Sequence, residues 1–209
     1  MLVALSMRTA HATAYKEKRD AVSWDWINFC QEWNITPILI PNSLDQLKNY
    51  FNQISITSLL LTGGDDLGPA DQPSERDRVE FKLLDLAREK NIPILGVCRG
   101  LLIINRYFGG SIIANKKVAE ANNHVNCNHL INWLPNNQNY EVNSFHNFRV
   151  APSGLAPNLK PLALSKDQAV EALEHKQENI RAIMWHPERS HESQGLDVEI
   201  IGKWLCQQD

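Results

Sequence analysis

Residues 92–110, IPILGVCRGLLIINRYFGG, pass from an apolar run straight into an amphipathic one across Gly96-Val97-Cys98-Arg99-Gly100. An apolar run this short, polar on neither side, reads as a strand buried on both faces. A chain that restarts at once as a helix leaves a sharp turn at that strand's end. The Gly-x-Cys-x-Gly spacing makes the turn a nucleophile elbow, with two glycines leaving room for Cys98 to project above a helix N-terminus. There the helix dipole and unpaired backbone N–H groups favour a thiolate. A cysteine that merely fills a core needs none of this geometry.

The rest of the chain fits around such a strand. Leu2–Leu5, Pro37–Ile40, Ser58–Leu61 and Pro93–Val97 are nearly continuous apolar runs of strand length. Between them lie helical patterns. Val22, Trp26, Phe29 and Trp33 form one stripe within Asp20–Trp33, and Val79, Leu83, Leu86 and Ala87 form another within Asp77–Lys90. Leu44–Phe51 is a weaker helix and Val198–Leu205 a stronger one. Strands alternating with helices predict a parallel sheet covered on both faces. From Ser111 to Trp185 the pattern changes to short β segments, KKVAE, HLINWL, NYEVNSF, FRVAP, PLALS and AVEALEH, separated by turn clusters. The expected fold is therefore α/β, a mostly parallel sheet with helices on both faces and a small antiparallel flank, in a single domain over 1–209.

Composition narrows the function. A net charge of −3 over 209 residues gives no reason to expect a nucleic-acid partner or an anionic membrane surface. No stretch approaches the roughly 20 apolar residues of a membrane span, and the positive charges near the start follow the apolar run, unlike those of a secretory signal. Cys30, Cys98, Cys127 and Cys206 show no disulfide spacing, which suits a reducing cytoplasm.

In open parallel sheets chemistry collects at the C-terminal ends of strands. Trp185-His186-Pro187-Glu188 follows the apolar run Ile180–Trp185. A cysteine nucleophile needs a base to take its proton and an acid to protonate the leaving group, and His186 can serve both steps. Glu188 can hold the imidazole in one orientation. Alone, a histidine at a His-Pro turn reads as an ordinary surface residue; the elbow in the same chain supplies the functional reading. Leu61-Thr62-Gly63-Gly64-Asp65-Asp66 follows another apolar strand, where the N–H of Gly64, with that of Arg99, can stabilise an oxyanion.

GVCRG, TGGDD and WHPE, in this order, resemble the class I glutamine amidotransferases, which carry a Cys-His-Glu triad on a flavodoxin-like sheet. The Arg of Cys-Arg-Gly, Arg76-Asp77, VNSFH and MWHPER are similar to the γ-glutamyl hydrolase branch, which includes γ-glutamyl-γ-aminobutyrate hydrolase. The resemblance implies Cys98 as nucleophile, His186 as general base and acid, Glu188 as orienting carboxylate, and Gly64 with Arg99 as oxyanion hole. It also places Gly63, Val142, Asn143, Ser144 and His146 beside a bound γ-glutamyl group. The aminobutyrate hydrolases typically continue with His and Gln where this chain has Asn147 and Phe148, so the leaving group is expected to differ.

The expected reaction is hydrolysis of a γ-glutamyl amide through a Cys98 thioester, with no cofactor and no metal. Arg8 and the stretch Tyr15–Arg19, with Arg76, Arg99 and Arg189 as further candidates, suit an anionic leaving group, although Lys16–Arg19 read equally as solvated charge. The short chain, Arg8, Arg19 and MWHPER resemble the γ-glutamyl-CDP-amidate hydrolases, which free a nucleotide phosphoramidate for capsular polysaccharide. The alternatives are a γ-glutamyl-γ-aminobutyrate-type hydrolase and a glutaminase subunit feeding ammonia to a separate synthase. The partner is otherwise a small-molecule substrate, and the sequence admits a homodimer. His124, Cys127 and His129 lack a fourth ligand and a recognised metal spacing. Cys30 and Cys206 read as apolar filler, and Trp24 need not share the buried stripe of Trp26 and Trp33. His191 reads as a surface residue, as does His11, which remains a minor substrate-contact candidate.

Overall fold

The structure, a computed structural model, describes residues 1–43, 45–115, 125–189 and 194–205. The segment KKVAE, His124, His191 and Cys206 lie outside the described residues. The elements run β1 (Leu2–Ser6), β2 (Arg8–His11), β3 (Lys18–Ala21), α1 (Trp24–Glu32), β4 (Thr36–Ile40), α2 (Leu47–Gln53), β5 (Ser58–Leu61), α3 (Glu75–Glu89), β6 (Ile94–Val97) and α4 (Arg99–Tyr107). They continue with β7 (Ile113–Ala114), β8 (Val125–Trp133), β9 (Gln138–Phe145), β10 (Phe148–Arg149), β11 (Leu159–Ser165), β12 (Val170–His175), β13 (Ile180–Ile183) and α5 (Gln194–Asp197), which passes into a π-helical stretch, Val198–Leu205.

One nine-stranded sheet has the order β4-β1-β5-β6-β13-β12-β11-β8-β9. The pairs from β4 to β13 are parallel and those from β13 to β9 antiparallel. Counting the parallel strands in chain order gives 2-1-3-4-5, the doubly wound flavodoxin-like arrangement. The antiparallel flank continues the same sheet through β13.

The apolar strands are continuous because both faces are covered. Leu59 and Leu61 of β5 join Leu83, Leu84 and Leu101 on one side. Leu60 joins Leu95, Val97, Trp26, Phe29 and Trp185 on the other. Each such side chain, fully removed from water, contributes about 1.5–3 kcal/mol. Helix α3 starts cleanly because Ser74 and Asp77 form a reciprocal capping box. Trp26 is buried, while Trp24 is 86% exposed.

One local expectation is corrected. Asp20 and Ala21 belong to a strand and not to the first helix, because Arg8–His11 and Lys18–Ala21 pair as a separate antiparallel ribbon. Lys18 pairs with Glu75, and Arg19 with Glu17 and the hydroxyl of Tyr15. Among the described residues no helix is long and apolar enough to cross a membrane.

Candidate active site

Parallel pairing sets the centre of the site. Ile183 of β13 lies opposite Val97 of β6, so the residues leaving both strand ends, Cys98 and Trp185-His186, meet at one edge of the sheet. The Cys98 N–H donates to the Ile183 carbonyl at 2.7 Å. Cys98 has φ of 53°, a left-handed conformation that a non-glycine residue holds only where its surroundings impose it. Gly100 is part of that constraint. A Cβ there would lie 2.4 Å from the Leu61 carbonyl oxygen, so only glycine lets α4 approach β5 this closely.

His186 is nearly buried and faces two partners. Its Nδ1 lies 2.6 Å from Glu188 Oε1. The Cys98 side chain also acts on the ring and raises its affinity for a proton. With Nδ1 committed to Glu188, Nε2 is the nitrogen left to exchange a proton with sulfur. Burial alone drives the proton off the imidazole, but the pull of Cys98 and the hydrogen bond and charge of Glu188 outweigh it, lifting the pKa to about 9. Stability from this pairing is therefore full below the ordinary value of 6.5 and lost as pH rises through about 9. Glu188→Gln removes the charge but keeps an acceptor, so the alkaline limb of the pH–rate profile should move about one unit towards acid. An unmoved limb would show that Glu188 does not set the proton affinity of His186.

Asn143 clamps the histidine from behind. Its Oδ1 accepts from the His186 N–H at 2.8 Å, and its Nδ2 donates to the His186 carbonyl at 2.9 Å. Asn143→Ala strips both bonds and should lower kcat by about 10–100-fold with little change in KM, because misplacement acts on the reacting geometry. A KM rise at constant kcat would instead favour substrate contact.

The loop Thr62–Asp65 is shaped by a residue first considered for anion binding. Arg76 is 1% exposed and donates to the carbonyls of Thr62 (2.7 Å), Gly63 (3.1 Å) and Gly64 (3.3 Å) and to Asp65 Oδ2 (3.0 Å). In a trans peptide the C=O and N–H point in opposite directions. Arg76 holds the Gly63 carbonyl, so the Gly64 N–H is turned away from the guanidinium. Gly63 is forced by a close approach: a Cβ would stand 2.8 Å from His186 Cε1.

A cleft of about 310 Å³ opens above Cys98. It is lined by Gly64, Asp65, Asp66, Leu67, Cys98, Arg99, Leu102, Arg106, Ile112, Phe145, His146, Asn147, Phe148, His186 and Arg189. The ring of Phe145 stands edge-on to His186 with centroids 5.6 Å apart, and the Arg189 guanidinium lies 4.2 Å from its centroid. Cys98, His186, Gly64, Arg99, His146 and Arg189 therefore converge. Arg8, half exposed, borders an adjoining cavity with Gly63, Gly64, His186, Glu188 and Arg189, and lies against Gly64.

Several other residues considered as contacts are directed elsewhere. Val142 and Ser144 are fully buried, and with Asn143 they do not line this cleft. Strand alternation turns Val142 into the core, and the Asn143 amide is spent on His186. Arg19 lines a separate cleft with Lys18, Asp20, Asn42, Glu75 and Arg78. His11 is exposed beside another cavity, with Thr9, Asp65 and Asp66. The side chains of Arg76 and Arg99 are committed below the loop: Arg76 pairs with Glu80 at 2.9 Å, and Arg99 pairs with Glu80 and Asp77. Arg106 lines the cleft and donates to the Gly68 carbonyl at 2.6 Å; helical periodicity on α4 gave no sign of it.

A 2-1-3-4-5 parallel core with a cysteine elbow and an antiparallel flank is the class I glutamine amidotransferase fold. A glutamine amidotransferase from Thermotoga maritima superposes with a TM-score of 0.64 at 14% identity, over 99% of this chain and 84% of that one. The chain belongs to the peptidase C26 family, which it matches over residues 2–188, and is by that membership an amide hydrolase of the glutamine amidotransferase type. It is 31% identical over 212 aligned positions, 98% of each chain, to the γ-glutamyl-CDP-amidate hydrolase of Campylobacter jejuni. It is 29% identical to the glutamine-hydrolysing GMP synthase subunit of Methanococcus aeolicus, over 77% of this chain and 79% of that one.

Proposed function

We propose that the chain hydrolyses a γ-glutamyl amide through a Cys98 thioester and that its substrate is γ-glutamyl-CDP-amidate. The observation that carries the first part is His186, hydrogen-bonded to Glu188 and lining the same cleft as Cys98. His186 takes the thiol proton and the sulfur attacks the γ-carbonyl. The resulting oxyanion is held by the N–H groups of Gly64 and Arg99. When the tetrahedral species collapses, the C–N bond breaks and the proton on His186 passes to the departing nitrogen. Water, deprotonated by the same imidazole, then attacks the thioester, releasing glutamate and restoring Cys98.

The second part rests on the likeness to the Campylobacter jejuni hydrolase and on the cations at the cleft. Arg106 and Arg189 line it, and Arg8 stands at its edge. These replace Arg19 as the groups that would meet a diphosphate, since guanidinium holds phosphate oxygens in pairs. The test is glutamate release from glutamine, γ-glutamyl-γ-aminobutyrate, oligo-γ-glutamate and γ-glutamyl-CDP-amidate, with Cys98→Ala as control. Selective turnover of the nucleotide substrate is expected, and Arg189→Gln should raise its KM about tenfold or more while leaving the KM for glutamine nearly unchanged. Turnover of none would favour a glutaminase that awaits a separate synthase, the reading to which the GMP synthase relative points. An equal effect of Arg189→Gln on both substrates would remove the phosphate contact.

A further inference from the structure

We propose that His129, His146 and Glu171 form a site for one divalent transition-metal ion of the Zn²⁺ class, set in the antiparallel flank behind the wall of the cleft. The three residues come from β8, the turn after β9, and β12, and their ligand atoms all lie within 4.8 Å of one another. Both imidazoles face one carboxylate: His129 Nε2 is 3.5 Å from Glu171 Oε2, and His146 Nε2 is 3.7 Å from Oε1. A close charge-assisted hydrogen bond between such groups spans about 2.7–2.9 Å. Ligand atoms sharing a tetrahedral Zn²⁺, each about 2.0–2.1 Å from it, stand about 3.3 Å apart. The observed gaps are nearer the second spacing.

The orientation of His146 adds an independent argument. Its Nδ1 lies 2.8 Å from the Phe148 carbonyl oxygen, which only accepts, so Nδ1 carries a hydrogen. In the neutral ring Nε2 then turns its lone pair towards the carboxylate, where a shared ion would take the place that a proton holds in the imidazole–Glu171 hydrogen bond. A histidine whose far nitrogen donates to a backbone carbonyl is the usual form of a metal-ligating imidazole. Glu171 is fully buried and His146 3% exposed, so an ion held there would be shielded from bulk water. The partly exposed His129 leaves an entry edge. Two nitrogens and a carboxylate favour Zn²⁺ over the oxygen-seeking Mg²⁺ and Ca²⁺.

The site differs from the HVNCNH grouping suggested by adjacency in sequence. His129 is drawn instead to residues distant in the chain, and the cluster does not contain Cys127. His146, Asn147 and Phe148 line the cleft, so an ion on His146 would pin that wall to β8 and β12. Its role is positional, outside the chemistry at Cys98.

The full chain, stripped with EDTA, would be titrated with Zn²⁺ against a chromophoric chelator, with bound metal counted by mass spectrometry. About one Zn²⁺ per chain is expected for the unaltered protein and for Cys98→Ala, with affinity at least about 100-fold weaker in Glu171→Gln and His129→Ala. The partly exposed His129 supplies the decisive variant if Glu171→Gln unfolds, and Zn²⁺ should raise the melting temperature of the unaltered protein but not of His129→Ala. Absence of Zn²⁺ binding, or binding unchanged in His129→Ala, would overturn the proposal. Loss of binding in Cys98→Ala would also overturn it, by placing the ion between Cys98 and His186.

Discussion

Cys98→Ala is expected to reduce glutamate release by about 10⁴-fold or more while the protein stays folded, because it removes the nucleophile that attacks the amide in the proposed cycle. The fold should tolerate the change. Cys98 contributes one sulfur atom to a cleft, and the N–H bond to the Ile183 carbonyl and the left-handed φ are main-chain properties that alanine can share. Melting within a few degrees of the parent, with activity at background, would separate chemistry from stability. Residual turnover within about tenfold of the parent would remove Cys98 from the nucleophile's role altogether. Cys98→Ser would sharpen the result: serine keeps the shape, but its hydroxyl lacks the acidity that lets His186 share the proton with sulfur.

The second large effect concerns stability. Arg99→Met should destabilise the fold by about 3–5 kcal/mol, because it leaves Glu80 and Asp77 buried without the cation between them. Arg99 is 2% exposed, and both carboxylates are fully buried. Burial raises the pKa of Glu80, but the charges of Arg99 and Arg76 outweigh it and hold the carboxyl below its ordinary range. Removing one cation should make the loss deepest at neutral pH and milder towards acid, where Glu80 takes up a proton instead. Urea denaturation at two pH values would read this directly. The double variant Arg99→Met with Glu80→Gln should recover part of the loss; a double variant as unstable as the sum of the single changes would show that the two side chains do not compensate one another.

These expectations mark what could be read before folding and what could not. The central strands were legible because β1, β5 and β6 are buried on both faces and so carry unbroken apolar runs. The elbow was legible because close approach at Gly100 leaves a glycine in the sequence. His186 and Glu188 followed from the strand end and the chemistry that a cysteine needs. The β2–β3 ribbon was missed because an exposed two-stranded ribbon has no buried face, and its charges resembled an approach to a helix. Buried charge was harder still. Arg76 and Glu80 have the spacing of a helical ion pair, but nothing local shows that they lie beneath the loop at Gly64. Asn143 sits among residues expected to touch substrate, yet it faces the main chain of His186, a contact created by the meeting of β9 with the end of β13.

Asp77 serves two structures with one carboxylate. Its Oδ2 accepts from the N–H groups of Ser74 and Gly68, closing the start of α3, while Oδ1 receives Arg99 directly after the elbow. Fraying of the first turn of α3 would therefore take the counter-charge away from the segment that holds Cys98, and movement of the elbow would uncap the helix. The two ends are thus coupled through one carboxylate, which ties the start of α3, remote from the cleft, to the geometry of the turn that carries Cys98.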